Sequence, residues 1–173
     1  MIVLMAGLPG TGKSSLARAL SERLAGTVLS KDEIRHALFT PRDIAYTTEQ
    51  DDLVMEIMLQ AAGWICRADP KRYVILDGRT FSRPYQIDRV FDFANSIGQQ
   101  CRILECKCSD VIARSRLAYQ AAAGEHPAGN RTFELYLEVR ARFETITRPK
   151  TIIDTDQTME TCVRHALNAI LGT

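Results

Sequence analysis

Five short apolar runs, each bounded by turn-forming residues, recur along the chain: Ile2 to Ala6, Thr27 to Ser30, Tyr73 to Asp77, Arg102 to Cys106 and Thr151 to Ile153. They read as strands. Between them lie positions spaced by three and four: Leu16, Ala19, Leu20 and Leu24; Leu53, Ile57, Ala61 and Ile65; Ile87, Val90, Phe91 and Ala94; Val111, Ile112, Ser115 and Leu117; Leu135, Val139 and Phe143. That period is helical, and a last helix is predicted over Met159 to Leu171. Continuous apolar strands alternating with helices predict an α/β fold, a five-stranded parallel sheet covered by helices on both faces. Ligands of such sheets bind beyond the carboxyl ends of the strands, so the residues just after each strand carry the functional information.

Composition narrows the class without naming a chemistry. At 173 residues the chain suits one domain, residues 1–173. No apolar stretch reaches the roughly 20 residues of a membrane span. The opening M-I-V-L-M-A is too short and insufficiently basic for an export signal, so a cytoplasmic setting is expected. Five cysteines form no C-x-x-C pair. Cys106 and Cys108 flank Lys107 without a second ligand pair, and structural thiols are expected of them. A formal net charge of +1 gives no sign of a basic track for nucleic acid. His36, His126 and His165 are too scattered to suggest a triad.

The first strand is followed by G-L-P-G-T-G-K-S, Gly7 to Ser14, and then by a helical pattern from Ser15. Gly7, Gly10 and Gly12 let the backbone turn tightly and aim its N–H groups inward, with Leu8, Pro9 and Thr11 completing the loop. The helix that follows, with Ser15 in its first turn, adds a positive end. Lys13 can reach the β- and γ-phosphates of a nucleotide, and the Ser14 hydroxyl can join the shell of a Mg²⁺ ion. After the second strand comes K-D-E-I-R-H-A-L. Asp32 and Arg35, three apart at a helix start, share one face. An acid there suits removal of a hydroxyl proton, and an arginine suits an anion. The same spacing also suits a dipole-favoured Asp with its ion-pair partner.

Together, G-L-P-G-T-G-K-S and S-K-D-E-I-R-H-A-L resemble the P-loop kinases that include polynucleotide kinase, zeta toxin, chloramphenicol phosphotransferase and adenylylsulfate kinase. Y-T-T-E-Q, V-I-L-D-G-R-T-F, R-S-R-L-A, Y-L-E-V-R-A-R-F-E and T-I-I-D-T-D extend the likeness along nearly the whole chain. The resemblance implies a P-loop NTPase fold with strand order 2-3-1-4-5. It implies ATP and Mg²⁺ as cofactors and Asp32 as catalytic base with Arg35 beside it. Ser14, and Asp32 through water, would serve the metal. Asp77 would assist the metal through water or hold Arg79, unless it only opens a turn. Arg79 and Arg83 would lie near an acceptor. The aromatics Phe39, Tyr46, Phe81 and Tyr85 suit stacking on an acceptor ring and core packing equally. Arg116 matches an arginine that lies against adenine, but the position four later, where the related kinases carry a phosphate-reaching arginine, is Gln120. Arg114 or Arg131 would then substitute. Arg131 is favoured, because G-E-H-P-A-G, Gly124 to Gly129, reads as part of a lid over about residues 114–131.

The expected activity is transfer of the ATP γ-phosphoryl group to a hydroxyl of a small molecule. A polynucleotide 5'-hydroxyl kinase or an adenylylsulfate kinase-like enzyme is the alternative. F-S-R-P-Y is similar to the latter, whereas S-K-D-E departs from its usual D-G-D-N. A nucleotide-dependent switch or regulatory ATPase is the rival from another class.

Overall fold

The computed structural model describes residues 1–123 and 132–172. Five strands form one sheet: β1 (Ile2–Ala6), β2 (Thr27–Ser30), β3 (Val74–Asp77), β4 (Cys101–Lys107) and β5 (Thr151–Asp154). All pairings are parallel, in the order β2-β3-β1-β4-β5. Helices α1 (Lys13–Leu24), α2 (Lys31–Leu38), α3 (Thr48–Ala68), α4 (Pro84–Ser96), α5 (Asp110–Ala123), α6 (Phe133–Ala141) and α7 (Met159–Leu171) connect and cover them.

Strand β1 is fully buried, and its alternation divides the core in two. Ile2, Leu4 and Ala6 face a cluster with Val54, Met58, Ile87 and Val90 of α3 and α4. Val3 and Met5 face Leu16, Leu20, Val163 and Ala166 of α1 and α7. This is why the first run reads as unbroken hydrophobicity: both faces of its sheet are covered. A third, smaller cluster joins Ala113 and Leu117 of α5 to Tyr136 of α6, with Leu8 packed against it. It fixes α5 and α6 over the loop that follows β1.

Two helices differ from their sequence patterns. The buried face of α3 carries Val54, Met55, Met58, Leu59, Ala62 and Cys66, and the expected stripe through Leu53, Ile57, Ala61 and Ile65 runs along its margin. Leu53 is half exposed. Apolar residues sit on two adjoining stripes there, and packing against β3 and α4 decides between them. Helix α1 begins at Lys13, two residues before the helical pattern expected from Ser15. Of the expected lid, α5 covers residues up to Ala123, and the G-E-H-P-A-G segment and Arg131 lie outside the described residues. Among the described residues no helix is long and apolar enough to cross a membrane.

Candidate nucleotide and acceptor site

Strand order reverses at β1, the central strand, which leads through α1 to the β2 edge while β3 is followed by β4 on its other side. The glycine loop fills that switch point. Gly7 takes φ +130°, and a Cβ on it would lie 2.3 Å from the Cys106 carbonyl oxygen of β4, so only glycine fits this first step of the loop. Gly7 N–H donates to the Thr80 carbonyl at 3.1 Å, tying the loop to the residues after β3. Gly10 and Gly12 are also left-handed, and Gly12 is the N-cap of α1. The Thr11 hydroxyl donates to the Leu8 carbonyl at 2.8 Å. Lys13 is buried, and its ammonium donates to the carbonyls of Gly7 at 2.8 Å and Leu8 at 2.7 Å. The loop thus curls around its own lysine, within reach of an anion at the helix start. Beneath it, burial pushes the Cys106 thiol up to about 12 despite the nearby Lys13 charge. Cys108 Sγ lies 4.0 Å from the Gly10 carbonyl.

Two clefts open beside this loop, and both are lined by Lys13 and Ser14. The larger, of about 560 Å³, runs along Gly10, Gly12 and Ser15 to Arg116, Tyr119, Gln120, Thr155 and Gln157. Arg116 is held by Thr155, whose hydroxyl it meets at 3.2 Å and whose carbonyl at 2.7 Å. The Thr155 hydroxyl in turn lies 2.9 Å from the Thr11 carbonyl, so the turn after β5 clasps the loop and aims the lid-helix arginine at once. Gln120 lines this cleft with its Oε1 buried and unpartnered.

The smaller cleft, of about 160 Å³, is walled by Pro9, Lys31, Asp32, Arg35, Tyr46, Asp51, Gly78, Arg79, Thr80, Leu135, Val139 and Arg142. Ser30 caps α2, and its side chain accepts from Glu33 N–H, which sets Lys31, Asp32 and Arg35 in the first turns. Asp32 faces Arg35 at 3.6 Å and Lys31 at 4.0 Å. Arg35 is almost wholly buried, and its main partner is Asp51 of α3, which also takes Lys31 at 2.7 Å. The Tyr46 ring lies 5.2 Å from the Arg35 guanidinium. Arg79 is buried and pairs with Asp52 at 2.6 Å, not with Asp77.

Several sequence-based expectations are therefore relocated. Arg83 is exposed, caps α4, pairs with Glu144 and lines a separate groove, so it does not face the smaller cleft. Its position as helix N-cap turned it away. Arg114 stacks on Phe133 of α6, 4.0 Å from ring centroid to guanidinium, rather than entering the nucleotide-side cleft. Phe81 belongs to the core, and Phe39 packs against it. Tyr85 meets Arg79 at 3.5 Å. Asp51, Asp52, Lys31, Thr155 and Arg142 were not singled out from sequence. Asp51 reads as first-turn dipole compensation of a long helix and Asp52 as an ordinary helix acid, and only their closeness to Arg35 and Arg79 in space reveals the second role.

The donor set fits a hard cation. Asp77, at the carboxyl end of β3, is buried with Oδ1 unpartnered, while Ser14 and Asp32 line the cleft next to its neighbour Gly78. No group of three or more His, Cys, Asp or Glu capable of holding a metal occurs among the described residues. That pattern suits Mg²⁺, which binds through one or two carboxylates, water and substrate phosphates rather than an all-protein cage.

Residues 2–145 match the family described as AAA domain. No curated protein matches the chain by sequence. Its fold is similar to that of a gluconokinase from Sinorhizobium meliloti 1021, with TM-score 0.70 and 16% identity over 98% of this chain and 91% of that one. The Mycobacterium tuberculosis APS kinase CysC, in complex with AMPPNP and APS, gives 0.72 and 16% over 98% and 96%. Chaetomium thermophilum Kti12, in complex with ADP-AlF3, gives 0.69 and 18% over 99% and 98%. These likenesses show the fold of the P-loop kinases, and the match over residues 2–145 places the chain in the AAA domain family.

Proposed function

We propose that this protein is an ATP-dependent phosphotransferase that moves the γ-phosphoryl group to a hydroxyl of a small molecule. One observation carries the reading: two separate clefts converge on Lys13 and Ser14, one with the features of a nucleotide site and one holding a carboxylate, Asp32. A hydrolase needs only the first. The second gives an alcohol a place in line with the phosphates and next to a proton acceptor. Neighbours named gluconokinase and APS kinase support this class of reaction.

In this mechanism the loop N–H groups and Lys13 orient the β- and γ-phosphates. Asp32 takes the hydroxyl proton as the oxygen attacks, and Arg35, fixed by Asp51, holds Asp32 in place from behind. Ser14, with Asp77 and Asp32 through water, would hold Mg²⁺, which would supply neutralisation of phosphate charge. Leu135 and Val139 of α6 form the apolar side of the acceptor cleft and limit water there. Because phosphoryl transfer rests on positioning and electrostatics, no covalent enzyme intermediate is required.

The test is a screen of alcohols with ATP and Mg²⁺, read by mass for one added phosphoryl group, followed by Asp32→Asn. Transfer by the variant falls about 10²–10⁴-fold, the usual worth of a general base. Nucleotide affinity is unchanged. Full transfer by the variant would remove Asp32 from the mechanism. ADP release that no alcohol accelerates would favour a regulatory ATPase.

A further inference from the structure

A phosphoryl group in transfer spreads negative charge over three oxygens, and stabilising it calls for a cation not already neutralised by the protein. Most cations of the two clefts are committed. Lys31 and Arg35 pair with Asp51 and Arg79 pairs with Asp52, while Lys13, whose bonds to the Gly7 and Leu8 carbonyls leave its charge in place, already serves the β- and γ-phosphates. On the nucleotide side Arg18 donates to the Ser14 carbonyl and Arg116 to Thr155. Arg142 differs: among the described residues its guanidinium has no hydrogen bond, ion pair or ring contact, although it lines the acceptor-side cleft together with Lys13, Ser14 and Asp32.

Its placement follows from helix geometry. Leu135 and Val139 stand at i and i+4 on one face of α6, Arg142 is the residue that caps its carboxyl end, and all three line the cleft. Arg140 points elsewhere, to Asp110 and the Tyr136 ring on the α5 side. Backbone N–H of Arg142 closes the helix onto Val139 and Arg140, so its position is set by the last turn of α6. Meanwhile Gln120, where the resembling kinases carry a phosphate-reaching arginine, offers only an uncharged amide.

Building on the phosphotransferase reading, we propose that Arg142 takes the place of the missing lid-helix arginine and binds the phosphoryl group in transfer. The bond between the γ-phosphorus and the bridging oxygen breaks, and ADP leaves with that electron pair. A new bond forms between phosphorus and the acceptor oxygen, whose proton passes to Asp32. Arg142 binds the equatorial oxygens throughout and neither gains nor loses a proton. It reaches them from the acceptor side of the loop, opposite Arg116.

ADP, Mg²⁺ and aluminium fluoride, which mimics the group in transfer, test this on the full chain without knowledge of the acceptor. The parent protein binds ADP more tightly with fluoride present than without. Arg142→Ala binds ADP alone as the parent does but loses the gain from aluminium fluoride, weakening the trapped complex about tenfold or more, and its turnover with an acceptor falls on the order of 10³-fold in kcat. Arg142→Lys restores part of the gain, and Arg140→Ala keeps all of it. A full gain in Arg142→Ala would overturn the proposal, as would a parent that binds ADP but gains nothing from fluoride, which leaves the nucleotide site standing. A parent that binds no ADP would overturn this proposal and the phosphotransferase reading together.

Discussion

At Gly78 the backbone takes φ +94°, directly after Asp77 and directly under the start of α2. A Cβ there would lie 2.9 Å from the Lys31 Cβ and 3.0 Å from the Lys31 nitrogen, and neither atom can swing away. Gly78→Ala is therefore expected to lose about 1–3 kcal/mol of stability, measured by urea unfolding, through left-handed strain plus contact. Because the clash pushes on the turn that carries Asp32, the proposed transfer activity is expected to fall more than stability alone accounts for. At this scale the sequence was legible where chemistry is local. Gly7 to Ser14 is legible because a phosphate cradle is built from consecutive backbone groups. Asp32 is legible because it follows a strand. Arg142 was not, since its importance lies in what its neighbours have already spent their charges on, and spacing along a chain does not record that.

Helices α2 and α3 are joined by a charged seam. Asp51 near the start of α3 serves both Lys31 and Arg35, while Asp32 of α2 reaches the same two cations from the other side. Arg35 is 1% exposed, so removing Asp51 leaves a buried guanidinium with only the more distant Asp32. Asp51→Ala should cost about 3–5 kcal/mol, the usual penalty for a broken buried pair. Adding Arg35→Met to that variant should recover much of the loss, and thermal denaturation of the single and double variants checks both statements. Helix existence was readable from period and caps, as in Ser30 before α2 and Thr47 before α3. Helix rotation was less so. Along α3 two adjoining apolar stripes compete, and the choice between them is made by β3 and α4, which belong to other parts of the sequence. In α1 the first turn looked non-helical because Lys13 and Ser14 serve the loop rather than the core.

Across the whole molecule the sheet buries thiols that the site does not use. Burial raises Cys101 and Cys106 to about 12, against an ordinary value of 9.0. Between those values the unfolded chain has shed protons that the folded chain keeps, so stability falls as pH rises from about 9 towards 12. Urea midpoints at pH 8 and pH 10.5 measure the decline. It becomes shallower when both thiols are replaced by alanine. The sheet order, by contrast, came from likeness of motifs: apolar runs say that strands are buried but not which pair, and the β2-β3-β1-β4-β5 order rests on contacts far apart in the chain.

The shared wall of Lys13 and Ser14 has a kinetic consequence. On the proposed phosphotransferase reading, two ligands that enter through different mouths and touch only at that wall need not wait for one another, so either can arrive first and both must be present before transfer. A compound joining adenosine to an alcohol by a short polyphosphate bridge would occupy both mouths at once. Its grip would exceed that of either half, because the second half binds at the high local concentration set by the first.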